Sequence, residues 1–190
     1  MKNDVLSRLL ALFGVLCCAA CTMPDPESGS GMSVSTSSGV VSAESGPEGS
    51  LVFRDIPFAQ PPEGAGRWAA PGRLETPEQV ISSKPEPVMC PQPQGMASGS
   101  AEGEYLGSED CLYLDIYAPG EATASDLPVM LWIHGGSNVT GHKGTYDFSR
   151  FAAREQVVVV TINYRLGPFG WFVHPALNGA DLKTSPLANF

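Results

Sequence analysis

The sequence predicts an α/β fold, and three observations carry that prediction. Val129-Met130-Leu131-Trp132-Ile133 is an uninterrupted apolar run that stops at His134-Gly135-Gly136. Val157 to Ile162 is a second run, rich in β-branched residues. Between them, Phe148, Phe151 and Ala152 fall at helical spacing within Asp147 to Glu155. Runs of this kind read as strands buried on both faces of a sheet. Strand, helix, strand is a βαβ unit, so the two strands are expected to be parallel.

The 190 residues suffice for one domain with its own core, and a hydrophobic content of 43% is ordinary for a globular protein. Lys and Arg total 11 against 20 Asp and Glu, a formal charge of -9. Such a surface repels phosphate backbones and argues against nucleic-acid binding. His134, His142 and His174 lack metal-ligand spacing, so no metal site is expected. Cys17, Cys18 and Cys21 lie at the N-terminus, while Cys90 and Cys111 lie in the body. Removal or modification of the first group leaves an even pair, which suits one disulfide in an exported protein.

Taken in order, the chain opens on a targeting segment, residues 1–21. Lys2 and Arg8 precede an apolar stretch, Leu9 to Ala20. That stretch is too short to cross a bilayer core of about 30 Å as a helix but suits a signal-peptide core. Two processing routes fit. Cys18-Ala19-Ala20 offers small residues for simple cleavage. Ala19-Ala20-Cys21 resembles a bacterial lipobox, with Cys18 where leucine is usual, and would make Cys21 the lipidated N-terminus. The cysteine directly after the small pair favours lipidation. Met32 is an alternative start that would remove the signal. Residues 22–38, rich in Ser, Gly and Pro, read as a flexible tether.

Residues 39–190 form the domain. Gly39-Val40-Val41 and Leu51-Val52-Phe53 flank Gly46-Pro47-Glu48-Gly49 and predict a hairpin. Proline keeps Ile56 to Pro62 from being helical. Gly64 to Gly107 is mostly loop, and a Cys90–Cys111 bridge is expected to pin it, contributing roughly 3 kcal/mol. Cys111 to Ala118 is a strand ended by Pro119. Gly120 to Asp126 is a turn. The Gly- and Pro-rich stretch Asn163 to Phe190 reads as a long surface loop.

The two glycines after Ile133 let the backbone turn sharply, so N–H groups can point at a ligand. Four motifs give this turn a context. They are Ile56-Pro57-Phe58-Ala59-Gln60-Pro61-Pro62, Ser108-Glu109-Asp110-Cys111-Leu112-Tyr113-Leu114, Trp132-Ile133-His134-Gly135-Gly136, and Asn163-Tyr164-Arg165-Leu166-Gly167-Pro168-Phe169-Gly170. In order and rough spacing they resemble the type B carboxylesterases, the carboxylesterase/cholinesterase family of α/β-hydrolases. The resemblance covers Val34 to Phe190. It implies the N-terminal part of an α/β-hydrolase fold: a hairpin followed by the first strands of a central, mostly parallel sheet.

The resemblance also implies ester hydrolysis through an acyl-enzyme, without a cofactor, on a small-molecule ester. Serine, acid and histidine would follow in that order, with the serine in Gly-x-Ser-x-Gly. No Gly-x-Ser-x-Gly occurs in these residues. The triad is therefore expected downstream of Phe190, the chain is expected to be an N-terminal fragment, and the fragment alone is expected to be inactive. The part of the machinery expected here is the oxyanion hole, with Gly136 and Ser137 as backbone donors in the His134-Gly135 loop. Ser137 departs from the family's third glycine. His134 is not the family's base and is expected to brace the turn. Arg67 and Glu109 resemble a buried structural ion pair, and Cys90 and Cys111 match the family's first disulfide. Asp55 stands where glycine is usual and Asp115 where asparagine is usual. Asn138-Val139-Thr140 is a glycosylation sequon, expected to be idle behind a bacterial-looking signal. The alternative reading is a non-catalytic surface adhesion module of the same fold.

Overall fold

The computed structural model describes residues 32–76, 78–94, 105–120, 126–172 and 174. Its front is a hairpin made by Ser33–Thr36 (β1) and Gly39–Ser42 (β2), antiparallel across the Ser37-Ser38 turn. Thr36 secures that turn by donating its hydroxyl to the Gly39 carbonyl at 2.8 Å. The expected tether therefore gives way to a strand at Ser33. Its earlier part, the signal segment and Cys21 lie outside the described residues.

The hairpin partners also differ from expectation. β2 does not pair with Leu51–Pro57 (β4). A separate two-residue strand, Glu44–Ser45 (β3), does, across a 3-10 turn at Pro47–Gly49. β2 pairs instead with Val80–Ile81 (β5), parallel. The alternation of β2, with Val41 inward and Val40 half-buried, fits either partner, so local pattern does not choose between them. Gln92–Pro93 (β6) and Tyr105–Leu106 (β7) form a small antiparallel ladder in the loop region. The Cys90–Cys111 disulfide ties the base of that region, with Cα atoms 5.0 Å apart.

The main sheet has the order β3-β4-β8-β10-β9, where β8 is Tyr113–Ala118, β9 is Val129–Ile133 and β10 is Val158–Ile162. Helix α1, Ser149–Glu155, links β9 to β10. It starts two residues later than the periodicity suggests, because Asp147 accepts the Ser149 N–H at 2.8 Å and leads into the helix from outside. Gln156 in the left-handed region ends it. β9 and β10 are parallel, in register from Val129 opposite Val158 to Ile133 opposite Ile162. β4/β8 and β8/β10 are antiparallel. The described part of the sheet is thus mixed, and its parallel portion begins where a helix provides the crossover.

Two expectations about burial change with this order. Of β9 and β10, it is β10 that has neighbours on both sides. Among the described strands β9 lies at the edge, with Val129 67%, Leu131 58% and Ile133 58% exposed. An unbroken apolar run records that a strand is meant to be covered; it does not name the covering element. The stretch after β10 is also less exposed than its glycines and prolines suggest. Asn163, Arg165 and Leu166 are buried, and Gly167–Trp171 forms a short helix, α2.

The core has three parts. Val52, Tyr117, Ala152, Val157 and Val159 pack between the sheet and α1. Ala59, Val88, Leu112 and Leu166 surround the disulfide. Val41, Phe53, Ile56 and Ile81 fill the space under the front hairpin. Each buried aliphatic or aromatic side chain contributes roughly 1.5–3 kcal/mol, so truncating wholly buried Val159 or Leu166 opens a cavity in a layer that places the site.

Candidate functional site

Parallel strands β9 and β10 end side by side at Ile133 and Ile162, and both residues border a cleft of about 570 Å³. Open α/β sheets take their ligands at the carboxyl ends of the strands. Phe58, Leu112, Ile133 and Ile162 make the walls largely apolar, while His134, Gly135, Ser137 and Asn138 supply polar backbone at one side.

That side is the turn after β9. Gly136, Ser137 and Asn138 all have positive φ, at 107°, 56° and 60°. The Gly136 carbonyl accepts from Val139 N at 2.9 Å and from Thr140 N at 3.1 Å, which closes the turn. Only glycine fits at 136, since a Cβ there would lie 2.0 Å from the Thr140 carbonyl oxygen. Ser137 takes a conformation that costs a non-glycine residue about 1 kcal/mol or more. Among the described residues, the backbone N–H groups of Gly136 and Ser137 donate to no backbone or side-chain acceptor. Ser137 lines the cleft; Gly136, the residue before it, is not among the lining residues. Adjacent uncommitted N–H donors beside an apolar wall are an arrangement that can hold a developing oxyanion.

His134 is buried and its Nδ1 lies 2.8 Å from the Gly135 carbonyl oxygen. A carbonyl only accepts, so Nδ1 carries the proton and Nε2 is a bare acceptor, buried and unpartnered among the described residues. Burial lowers the His134 pKa below its ordinary 6.5, with the Gly135 carbonyl opposing in part. The ring is neutral and braces the turn.

Three residues hold this loop. Tyr164 stacks on His134, and Gln92 bonds both backbone groups of Gly141, accepting from its N–H at 2.8 Å and donating to its carbonyl at 3.1 Å. Asn163 accepts the Lys143 N–H at 2.7 Å and donates to the carbonyls of Val88 and Cys111. Asn163 and Tyr164 open the fourth sequence motif, directly after β10, but nothing in the sequence gives them this role; Gln92 and Lys143 read as ordinary loop residues.

Arg67 and Glu109 form a bidentate pair, with Nε to Oε2 at 2.7 Å. The pair is only partly buried: the Arg67 side chain is 39% exposed and Glu109 17%, and the guanidinium lies over Trp68 and Phe169. Asp55 sits at φ 54° in a bulge of β4, a position that favours glycine, and its N–H donates to Asp115 at 2.9 Å. Among the described residues, no group of His, Cys, Asp and Glu could hold a metal ion.

The model of the carboxylesterase family matches residues 31–179. The chain belongs to the carboxylesterase family. It is similar to para-nitrobenzyl esterase of Bacillus subtilis, 44% identical over 124 residues that make up 64% of this chain and 25% of that protein. It is likewise similar to carboxylesterase 1C of Mus musculus, 47% identical over 130 residues, 64% of this chain and 24% of the relative. Among solved structures, a thermophilic PNB esterase matches with a TM-score of 0.65 at 41% identity, over 76% of this chain and 30% of that one. A carboxylesterase of Geobacillus stearothermophilus matches with a TM-score of 0.60 at 34% identity, over 73% and 27%. The described strands are therefore part of the α/β-hydrolase fold of the carboxylesterases. The chain spans about a quarter of the length of the curated carboxylesterases it matches.

Proposed function

We propose that this chain is the oxyanion-hole portion of an exported serine carboxylesterase. The reading rests on one observation above all: the N–H groups of Gly136 and Ser137 are uncommitted among the described residues, in a turn on an apolar cleft at the carboxyl end of β9. Held in a rigid turn, they would meet the negative charge that forms on an ester carbonyl oxygen during acyl transfer. The nucleophile, acid and base would come from further chain, since the sequence holds no Gly-x-Ser-x-Gly. The substrate class is a small carboxylic ester, and the neutral, buried His134 positions the turn and takes no proton in the reaction.

Export is supported by the apolar Leu9–Ala20 segment and by a disulfide, which persists in oxidising compartments. Cys21 is the lipidation site of this reading. The deciding experiment compares hydrolysis of a nitrophenyl ester by purified residues 1–190 and by the full-length protein. The short chain is expected to be inactive and the full-length protein active. Turnover by residues 1–190, or none by the full-length protein, would sink the reading. Radiolabelled palmitate tests Cys21, with label expected in the native protein and absent from Cys21→Ser.

A further inference from the structure

The loop that leaves the His-Gly-Gly turn is strained. Gly136, Ser137, Asn138 and Gly141 all have positive φ within six consecutive residues. Backbone of this kind persists only when its surroundings over-determine it. The upstream end is held by β9. The downstream end is Lys143, which is 5% exposed.

The Lys143 side chain enters the sheet between two carboxylates. Its Nζ lies 2.8 Å from Asp55 Oδ1 and 2.6 Å from Asp115 Oδ1. Asp115 is on β8 and Asp55 is in the bulge of β4, so one ammonium joins the loop to both strands. The carboxylates are otherwise engaged: Asp115 Oδ1 accepts the Asp55 N–H, and Asp55 Oδ2 accepts the Lys84 N–H at 2.8 Å. Arg54 lies 4.0 Å from Asp115 Oδ2 and balances the second negative charge. The Lys143 backbone N–H is fixed as well, by Asn163. Buried ion pairs contribute little to net stability compared with apolar packing, because desolvation offsets the attraction; their best use is to select one geometry.

We propose that Lys143 is a positioning residue: through Asp55 and Asp115 it anchors the strained loop and so holds the Gly136 and Ser137 N–H groups in place. The proposal rests on the oxyanion reading, and its test separates the two. In the full-length protein, Lys143→Met leaves the carboxylates facing one another and releases the loop. Amide hydrogen exchange across residues 136–141 is expected to quicken about tenfold or more, with exchange in the centres of β8 and β10 unchanged. For a nitrophenyl ester, kcat per titrated active site is expected to fall about tenfold with KM unchanged, the pattern of a lost transition-state contact. Lys143→Arg, which keeps the charge, is expected to restore most of both. Should Lys143→Met fail to fold, the triple variant Asp55→Gly, Asp115→Asn, Lys143→Met removes the unpaired charges and is expected to show the same loosened loop. Unchanged exchange at 136–141 in a folded variant overturns the anchor. Quickened exchange with unchanged kcat overturns the positioning role. Absence of ester turnover in the parent protein overturns the oxyanion reading alone, and the exchange comparison then still decides whether Lys143 anchors the loop.

Discussion

Tyr164 stacks on His134 with ring centroids 4.3 Å apart and planes 15° from parallel, and its hydroxyl donates to the His134 carbonyl at 2.9 Å. The two residues lie just past the ends of β10 and β9. One contact thus ties the turn to the neighbouring strand. Tyr164→Phe removes the hydrogen bond and keeps the stack, and is expected to lower unfolding free energy by about 1 kcal/mol. Tyr164→Ala removes both and is expected to cost more. Urea unfolding of the full-length protein checks the pair; equal losses for the two variants would show that the stack contributes nothing.

Ser137 provides a prediction of opposite sign. Its φ of 56° suits glycine better than serine. Ser137→Gly relieves the strain and is expected to stabilise by about 1 kcal/mol, less the extra freedom glycine has when unfolded. A lower denaturation midpoint for Ser137→Gly would mean that the hydroxyl makes a compensating bond in the full-length protein.

Stability is expected to depend on pH near neutrality. Burial lowers the pKa of His134 below its ordinary 6.5. Burial also lowers His142, and protonation of His134 and the charge of Lys143 add to the effect. Unfolded imidazoles bind a proton below about pH 6.5 while these folded ones remain neutral. The contribution is therefore fully present above about pH 6.5 and is lost as pH falls from there through the depressed folded values. Denaturant midpoints between pH 8 and 5 are expected to fall with acidification, and His142→Gln is expected to flatten the curve. A midpoint independent of pH over that range would contradict the assignment.

The apolar edge of β9 makes a prediction about residues 1–190 by themselves. Val129, Leu131 and Ile133 are exposed beside strand backbone that is unpaired among the described residues, which favours association through that edge. The isolated chain is expected to elute as oligomers in size-exclusion chromatography, and Leu131→Lys to shift it toward monomer. A wild-type monomer that melts cooperatively would rule this out.

Much of the architecture was legible in local pattern. The runs at Val129 and Val157 marked the two strands, the spacing of Phe148, Phe151 and Ala152 marked the helix, and their order made the strands parallel. Cys90 and Cys111 followed from counting, since no other cysteine lies in the body of the chain. The glycines after Ile133 located the turn. These features are legible because hydrophobic period, turn chemistry and cysteine count act over a few residues or not at all through geometry.

Tertiary structure alone decided the rest. Strand order placed β10 inside and β9 at the edge, because pairing is settled by long-range closure and any apolar strand can pair on either side. It placed Ser33–Thr36 in a hairpin, because a polar strand carries no period-2 signal to read. It brought Asp55, Asp115 and Lys143 together from three separate segments, and no local pattern links them. By itself the sequence determined that a turn of glycines would follow a strand; the packing of Lys143 and Tyr164 decided how that turn is held, since only folding sets the distance between residues far apart in the chain.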